Sequence, residues 1–414
     1  MLLMLATAAT APSGPTVARA VADRVSLPVV SFVTAGGRRS GTFRTRHKAY
    51  RSVASLRVMH SNLGPVSGGA SAFTQALSIE KMDGTLIPAT YDGAARVTVE
   101  PREHVTTDSI PVRLAAGEEF FIRTYREVEE SGMSWSGTGQ MGVTSAAYGE
   151  GSSHYSGGAD VTAGVWESGW TADGIAAPLP HAILADVPEG AQAALLVGDS
   201  IMAVGQDIDA IRPGMGGGYG VRSAINAGLP YLHIAQGGKQ MREVRDGDRI
   251  EDWMPPGLVE TCTVGLIEMG RNDLTANSTT LHADAVAVWS HIAGRGIRLA
   301  QCTVTPYTDS TDAWATTGSQ TIHDPAAEAK RLAYNAWLRD GAPIADGVPV
   351  SVGASGVRAG EEGHPLVKIF EATDQVETAR DSGIWKPHYT IDGLHPSSSG
   401  HQAIAPVIDL TTLL

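Results

Sequence analysis

Four residues from position 200 onward in the 414-residue chain are of the types and spacing that acyl transfer uses: Ser200, Asn272, Asp392 and His395. A serine hydroxyl is a weak nucleophile until a histidine accepts its proton, and that histidine works best when a carboxylate fixes its tautomer. Ser200 closes the run Leu195-Leu196-Val197-Gly198-Asp199-Ser200, in which an apolar stretch over residues 193–197 ends at a glycine that lets the backbone turn. The pattern reads as a parallel strand feeding a helix. It puts the hydroxyl at the carboxyl edge of a sheet, where open α/β folds bind ligands. Taken alone, the tripeptide equally fits a turn that Ser200 merely caps.

Gly270-Arg271-Asn272-Asp273 follows a second mostly apolar run, 264–269, so two strands end in polar residues at one edge. The Asn272 amide can donate to a developing oxyanion, a contact whose loss typically costs on the order of 3 kcal/mol of transition-state stabilisation. Asp273 reads more simply as a cap of the next helix. Asp392 and His395 stand three residues apart in a loop before a helical pattern over 398–410. That spacing brings a carboxylate to one ring nitrogen and leaves the other to face Ser200. His388 and His401 are the alternative bases nearby.

The elements that must hold these groups are legible as an alternation of strand and helix signals. Strand candidates are 193–197, 231–235, 263–268, 297–304 and 367–372, and helical spacing runs over 281–292 and 326–338. Such alternation predicts a parallel sheet in an α/β domain. The α/β-hydrolase fold is disfavoured because Ser200 is not inside a Gly-x-Ser-x-Gly elbow.

Over roughly residues 190–414 the chain resembles the SGNH or GDSL hydrolases, whose blocks are Gly-Asp-Ser, a glycine, Gly-x-Asn-Asp and Asp-x-x-His. The resemblance implies a flavodoxin-like three-layer domain with a five-stranded parallel sheet. It implies Ser200 as nucleophile, His395 as base and Asp392 as its orienter. The oxyanion hole would be the backbone N–H groups of Ser200 and Gly238 with the Asn272 amide, and no cofactor is called for. The glycine block matches Ala235-Gln236-Gly237-Gly238, with Gly237 as the other candidate donor.

Length fits two domains better than one core. Short alternating runs at 76–79, 95–99, 110–114 and 120–124, separated by Met82-Asp83-Gly84 and Tyr91-Asp92-Gly93, predict an antiparallel β-sandwich, jelly-roll-like, over 26–185. An N-terminal arm, 1–25, would precede it and the hydrolase domain would occupy 186–414. Between 131 and 174 a Gly/Ser-rich stretch carries Trp135, Tyr148, Tyr155, Trp166 and Trp170, rings that either stack on sugars or pack down as anchors.

Other chemistries are excluded or unsupported. A net charge of −13 argues against nucleic acid or a strongly anionic polymer. The run Arg38, Arg39, Arg44, Arg46, Lys48, Arg51 and Arg57 is a local exception, read as a solvated strand face or an acidic-partner surface. There is no His-Glu-x-x-His and no Cys-x-x-Cys, so no metal is expected. Gly237-Gly238-Lys239-Gln240 lacks the Ser or Thr of a P-loop, and the glycines from Gly214 to Gly220 lack dinucleotide-binding spacing. Cys262 and Cys302 are expected unbridged in the core, no stretch is long enough to span a membrane, and residues 1–12, with Ala6-Thr7-Ala8, lack the leading positive charge of a signal peptide.

The expected activity is hydrolysis of short acyl esters, foremost O-acetyl groups on carbohydrate, with Tyr307, Trp314 and Trp385 lining the substrate pocket. The alternatives are a lipase or general carboxylesterase, or a carbohydrate-binding surface or phage tail protein with a vestigial hydrolase domain. The expected partner is an acylated carbohydrate or other small ester, in an extracellular, cell-surface or virion setting that admits a homo-oligomer.

Overall fold

The computed structural model describes residues 15–28, 30–33, 38–63, 71–138, 142–154, 157–203, 207, 217–245, 254–274 and 280–414. The apolar segment 1–12, Tyr155 and the first three glycine-run residues, 214–216, lie outside them. The chain divides into two compact units that meet in sequence at Ala191 and Gln192. The expected boundary at 185/186 therefore falls inside a strand, and residues 1–25 are not simply an arm: Thr16–Ala20 (β1) pairs antiparallel along Ala182–Pro188. Pro178 and Pro180 precede the last strand of the first unit.

The first unit is built of antiparallel sheets. Besides β1 it contains Ser40–Lys48 (β2), Arg57–Ser61 (β3), Phe73–Lys81 (β4), His104–Thr106 (β5), Glu119–Glu127 (β6) and Ala182–Pro188 (β7). One sheet runs β1-β7-β3-β5, a second places β6 between β2 and β4, and Val30–Val33 pairs with Ser134–Gly137 in a third. The expected strand at 110–114 reduces to isolated bridges at Ile110 and Leu114. Asp92 and Gly93 both have positive φ, 49° and 80°, the conformation a tight two-residue reversal demands. Phe43 on β2, Phe73 on β4, Val105 on β5 and Trp135 share one buried cluster.

Four cations of the basic stretch are paired within their own unit: Arg44 with Glu80 at 2.7 Å, Arg57 with Asp186 at 2.7 Å, Arg39 with Glu127 at 3.3 Å, and Arg46 with Glu119. The aromatic stretch packs down. Trp135 and Trp170 are buried, and Trp166 meets Trp170 edge-on at 5.5 Å while its indole N–H donates to Thr171 Oγ1 at 3.1 Å.

The second unit holds the parallel sheet. Its strands are Ala194–Gly198 (β8), Tyr231–Ala235 (β9), Val264–Glu268 (β10), Arg298–Cys302 (β11) and Leu366–Phe370 (β12), in the order β9-β8-β10-β11-β12. β8, β9 and β10 are buried at every position, which is why they read as continuous apolar runs rather than alternating ones. The helices are Gly218–Asn226 (α1), Leu281–Ala293 (α2), Pro325–Arg339 (α3) and Ser398–Ile404 (α4), with a single turn over Met241–Arg245. Trp289 of α2 and Trp337 of α3 stack at 5.6 Å. Asp324 caps α3 by accepting the Ala326 and Ala327 N–H groups, with Pro325 at its first position. The pattern expected to be helical over 398–410 breaks at Ala405 because Pro406 cannot continue an α-helix, and 3-10 turns follow.

Cys262 and Cys302 are buried free thiols. Among the described residues no helix is long and apolar enough to cross a membrane, and no cluster of His, Cys, Asp or Glu is arranged to hold a metal.

Candidate active site

The strand order reverses between β8 and its neighbours β9 and β10, and the chain leaves the carboxyl ends of β8 and β10 into the crevice that such a switch point opens. Gly198 ends β8 where a Cβ would collide with the Met202 side chain and lie 2.8 Å from the Glu268 carbonyl, so only glycine permits the turn. Asp199 then organises it. Its N–H donates to the Glu268 carbonyl at 3.1 Å, its Oδ1 accepts the Ile201 N–H at 2.9 Å, and its Oδ2 accepts the Asn272 amide at 3.0 Å.

Ser200 follows, half-buried, with its Oγ 2.8 Å from His395 Nε2. His395 Nδ1 lies 2.7 Å from Asp392 Oδ2, and Asp392 Oδ1 accepts the N–H groups of Leu394 and His395 at 2.9 and 2.8 Å. Nδ1–H donating to the carboxylate leaves the Nε2 lone pair to receive the Ser200 proton. Burial works against the Asp392 carboxylate, but the His395 ring and those N–H groups outweigh it and hold its pKa below the ordinary range. His401 is buried and accepts the Tyr219 N–H at 3.0 Å; His388 sits on an exposed, positive-φ turn.

The loop carrying Asp392 and His395 is fixed from both sides at Gly393. Its carbonyl accepts the Trp385 indole N–H at 2.9 Å and the Thr308 N–H at 3.0 Å, and its φ of +79° suits glycine. Trp314 packs over it, 2.7 Å from where a Cβ would stand, with its indole N–H on Thr308 Oγ1 at 2.9 Å. This corrects the expectation for Trp385: it is fully buried and braces the loop that carries Asp392 and His395 instead of lining a pocket. Trp314 likewise supports the loop. Of the three expected substrate contacts, Tyr307 alone lines the cleft of about 260 Å³ that adjoins Asn272 and Leu394.

The N–H groups of Ser200, Gly237 and Gly238 make no hydrogen bond among the described residues, and a Cβ on Gly237 would stand 3.8 Å from that of Ser200. Gly238 has φ +77°. Both N–H bonds of the Asn272 amide are engaged, by Asp199 and by the Lys239 carbonyl at 3.1 Å. A further acceptor at this amide must displace one of these two contacts.

Sequence reasoning passed over Asp199 and Glu268. Glu268 ends β10 as the lone carboxyl of a buried apolar strand, and that was the available signal. Its Oε2 accepts the Met202 N–H at 3.1 Å. Burial pushes both carboxyls up, and the contact between them keeps the proton on Glu268, where it hydrogen-bonds Asp199. Unfolded glutamate ionises near 4.5, whereas the folded group stays protonated well above that, so its stabilisation is full below 4.5 and is lost as pH rises. Glu268→Gln keeps a donor that cannot ionise. Thermal unfolding at pH 5 and pH 8 is expected to shift in favour of this variant relative to wild type at the higher pH; a difference independent of pH would contradict the shared proton. Glu268→Ala orphans the Met202 N–H and is expected to cost about 1–3 kcal/mol.

No protein-family model and no curated protein matches the sequence. The chain is similar to solved structures of the GDSL and carbohydrate-esterase type. One is a GDSL-like lipase from Bacteroides thetaiotaomicron, 16% identical over 54% of this chain and 87% of that one, with a TM-score of 0.34. Another is a family two carbohydrate esterase from Clostridium thermocellum in complex with cellohexaose, 14% identical over 95% of this chain and 97% of that one, TM-score 0.32. A third is an acetyl-xylooligosaccharide esterase from Geobacillus, 13% identical over 52% and 91%, TM-score 0.33.

Proposed function

We propose that the chain is an SGNH-type serine esterase that removes short acyl groups, foremost O-acetyl groups, from carbohydrate outside the cell, with its first unit a β-sandwich accessory domain. The observation that carries this is the unbroken relay from Asp392 through His395 to Ser200, at 2.7 and 2.8 Å, at the carboxyl edge of a parallel sheet. In the reaction His395 Nε2 takes the Ser200 proton while Oγ bonds to the ester carbon. The oxyanion is held by the Ser200 and Gly238 N–H groups and the Asn272 amide. His395 then gives the proton to the departing alcohol as the C–O bond breaks. Water, losing a proton to the same ring, attacks the acyl-enzyme, releases the acid and restores Ser200.

The small cleft, with Leu274, Ala327 and Leu394 as its apolar lining, supports a short acyl group over a long chain. An aryl-ester series and acetylated oligosaccharides test this: acetate is expected to be released, and kcat/KM to fall as the acyl chain lengthens beyond about four carbons. Activity that rises with chain length would make the protein a lipase. Glycan binding without any hydrolysis would leave a binding module.

A further inference from the structure

Arg271, between Gly270 and Asn272, is nine-tenths buried at 9% exposure, yet its guanidinium makes no hydrogen bond or ion pair among the described residues. Its Nη1 is completely covered and without a partner. The contact it does make is with the face of Tyr307, 5.2 Å to the ring centre. Other buried arginines are treated differently: Arg331 is held by Glu328 and Glu377, and Arg123 by Glu80.

The carboxylates that face Arg271 make their hydrogen bonds elsewhere: Asp199 accepts the Ile201 N–H and the Asn272 amide, Glu328 holds Arg331, and Asp324 on the cleft wall caps α3. The His323 ring in turn lies on Tyr307 at 3.9 Å, closing the far wall of the cleft. Burial and the nearby Arg331 lower the Arg271 pKa to about 10, so the group is a cation at neutral pH. A covered, unmatched cation is costly to keep, and one carboxylate in the cleft would match it with charge-assisted hydrogen bonds.

Resting on the esterase reading, we propose that Arg271 is a specificity residue that receives a substrate carboxylate lying next to the scissile ester. The cleft it lines also contains Asn272 and Leu394, the neighbour of His395, so a group held there is adjacent to the reacting carbonyl. The net charge of −13 repels a polyanion on average, which favours an isolated acidic group over a densely charged polymer.

The carboxylate could belong to the acyl side or the alcohol side, and two substrate pairs separate them. One is an aryl acetate against the aryl hemisuccinate. The other is an O-acetylated methyl glucoside against the O-acetylated methyl glucuronoside. Wild type is expected to favour the acidic member of one pair by about tenfold or more in kcat/KM. Arg271→Met is expected to bring that ratio close to one, and Arg271→Lys to keep part of it, because lysine retains the charge without the fork. Should Arg271→Met not fold, stronger inhibition of wild type by free glucuronate than by glucose, or by succinate than by succinamide, supports the proposal, and equal inhibition within both pairs overturns it. Hydrolysis of neutral members with no acidic preference, or a preference that survives in Arg271→Met, overturns this proposal alone. Hydrolysis of none of the four overturns the esterase reading and this with it.

Discussion

Ser200→Ala is expected to lower kcat on aryl acetate by on the order of a millionfold, with the unfolding free energy changed by no more than about 0.5 kcal/mol. The turn that presents Ser200 is built by Gly198, by the Asp199 side chain and by the Glu268 carbonyl, none of which the substitution touches. The hydroxyl contributes one contact to the fold, to His395 Nε2. Esterase kinetics and thermal unfolding on the same preparation check both halves. Turnover retained in a folded Ser200→Ala protein would remove Ser200 as the nucleophile.

His395→Ala is expected to cost about as much, because nucleophile and base act as a unit, and the double variant to cost little more than either single one. Asp392→Asn, which keeps the shape but reverses the tautomer preference, is expected to lower kcat about ten-thousandfold. His388→Asn serves as the control, asparagine being tolerant of the φ of +63° found there, and its rate is expected to match wild type. A large loss in His388→Asn with activity retained in His395→Ala would move the base. The pH behaviour has a definite sign. The folded pKa of Asp392 is depressed, so its contribution to stability is present above the unfolded value of 3.8 and is lost as pH falls through the lower folded value. Asp392 thus stays ionised across the mildly acidic range, and the acid limb of kcat/KM reports another group.

What the sequence disclosed, and what it withheld, follows from how far apart the interacting residues lie. The sheet was readable because β8 and β10 are apolar but for the terminal Glu268 of β10, and a glycine stands at the end of β8 and two residues past β10, a local signature of a strand buried on both faces. Ser200 and Asn272 were readable because each stands just beyond such a strand, and Asp392 and His395 because their three-residue spacing falls in a loop directly before a helical pattern. The first unit was readable only as alternating runs. Its closing strand, β7, pairs with β1 at the opposite end of the unit, a partnership between residues some 170 positions apart that no local window contains. Trp385 was misassigned because an aromatic in a polar loop looks the same whether it faces a cleft or supports a carbonyl. Arg271 reads as an ordinary polar residue before Asn272; its isolation becomes visible only once every neighbouring carboxylate is seen to be occupied.

The double hold on the Gly393 carbonyl has a consequence for how the site moves. The Thr308 amide belongs to a small hairpin, Thr308–Ser310 with Gln320–Ile322, and its proton is tied to the loop that carries the acid–base pair. That proton can exchange with solvent deuterium only when the loop and the hairpin part. Deuterium uptake at Thr308 therefore reports how often the loop carrying Asp392 and His395 parts from the hairpin, and the amide serves as a native clock of that opening.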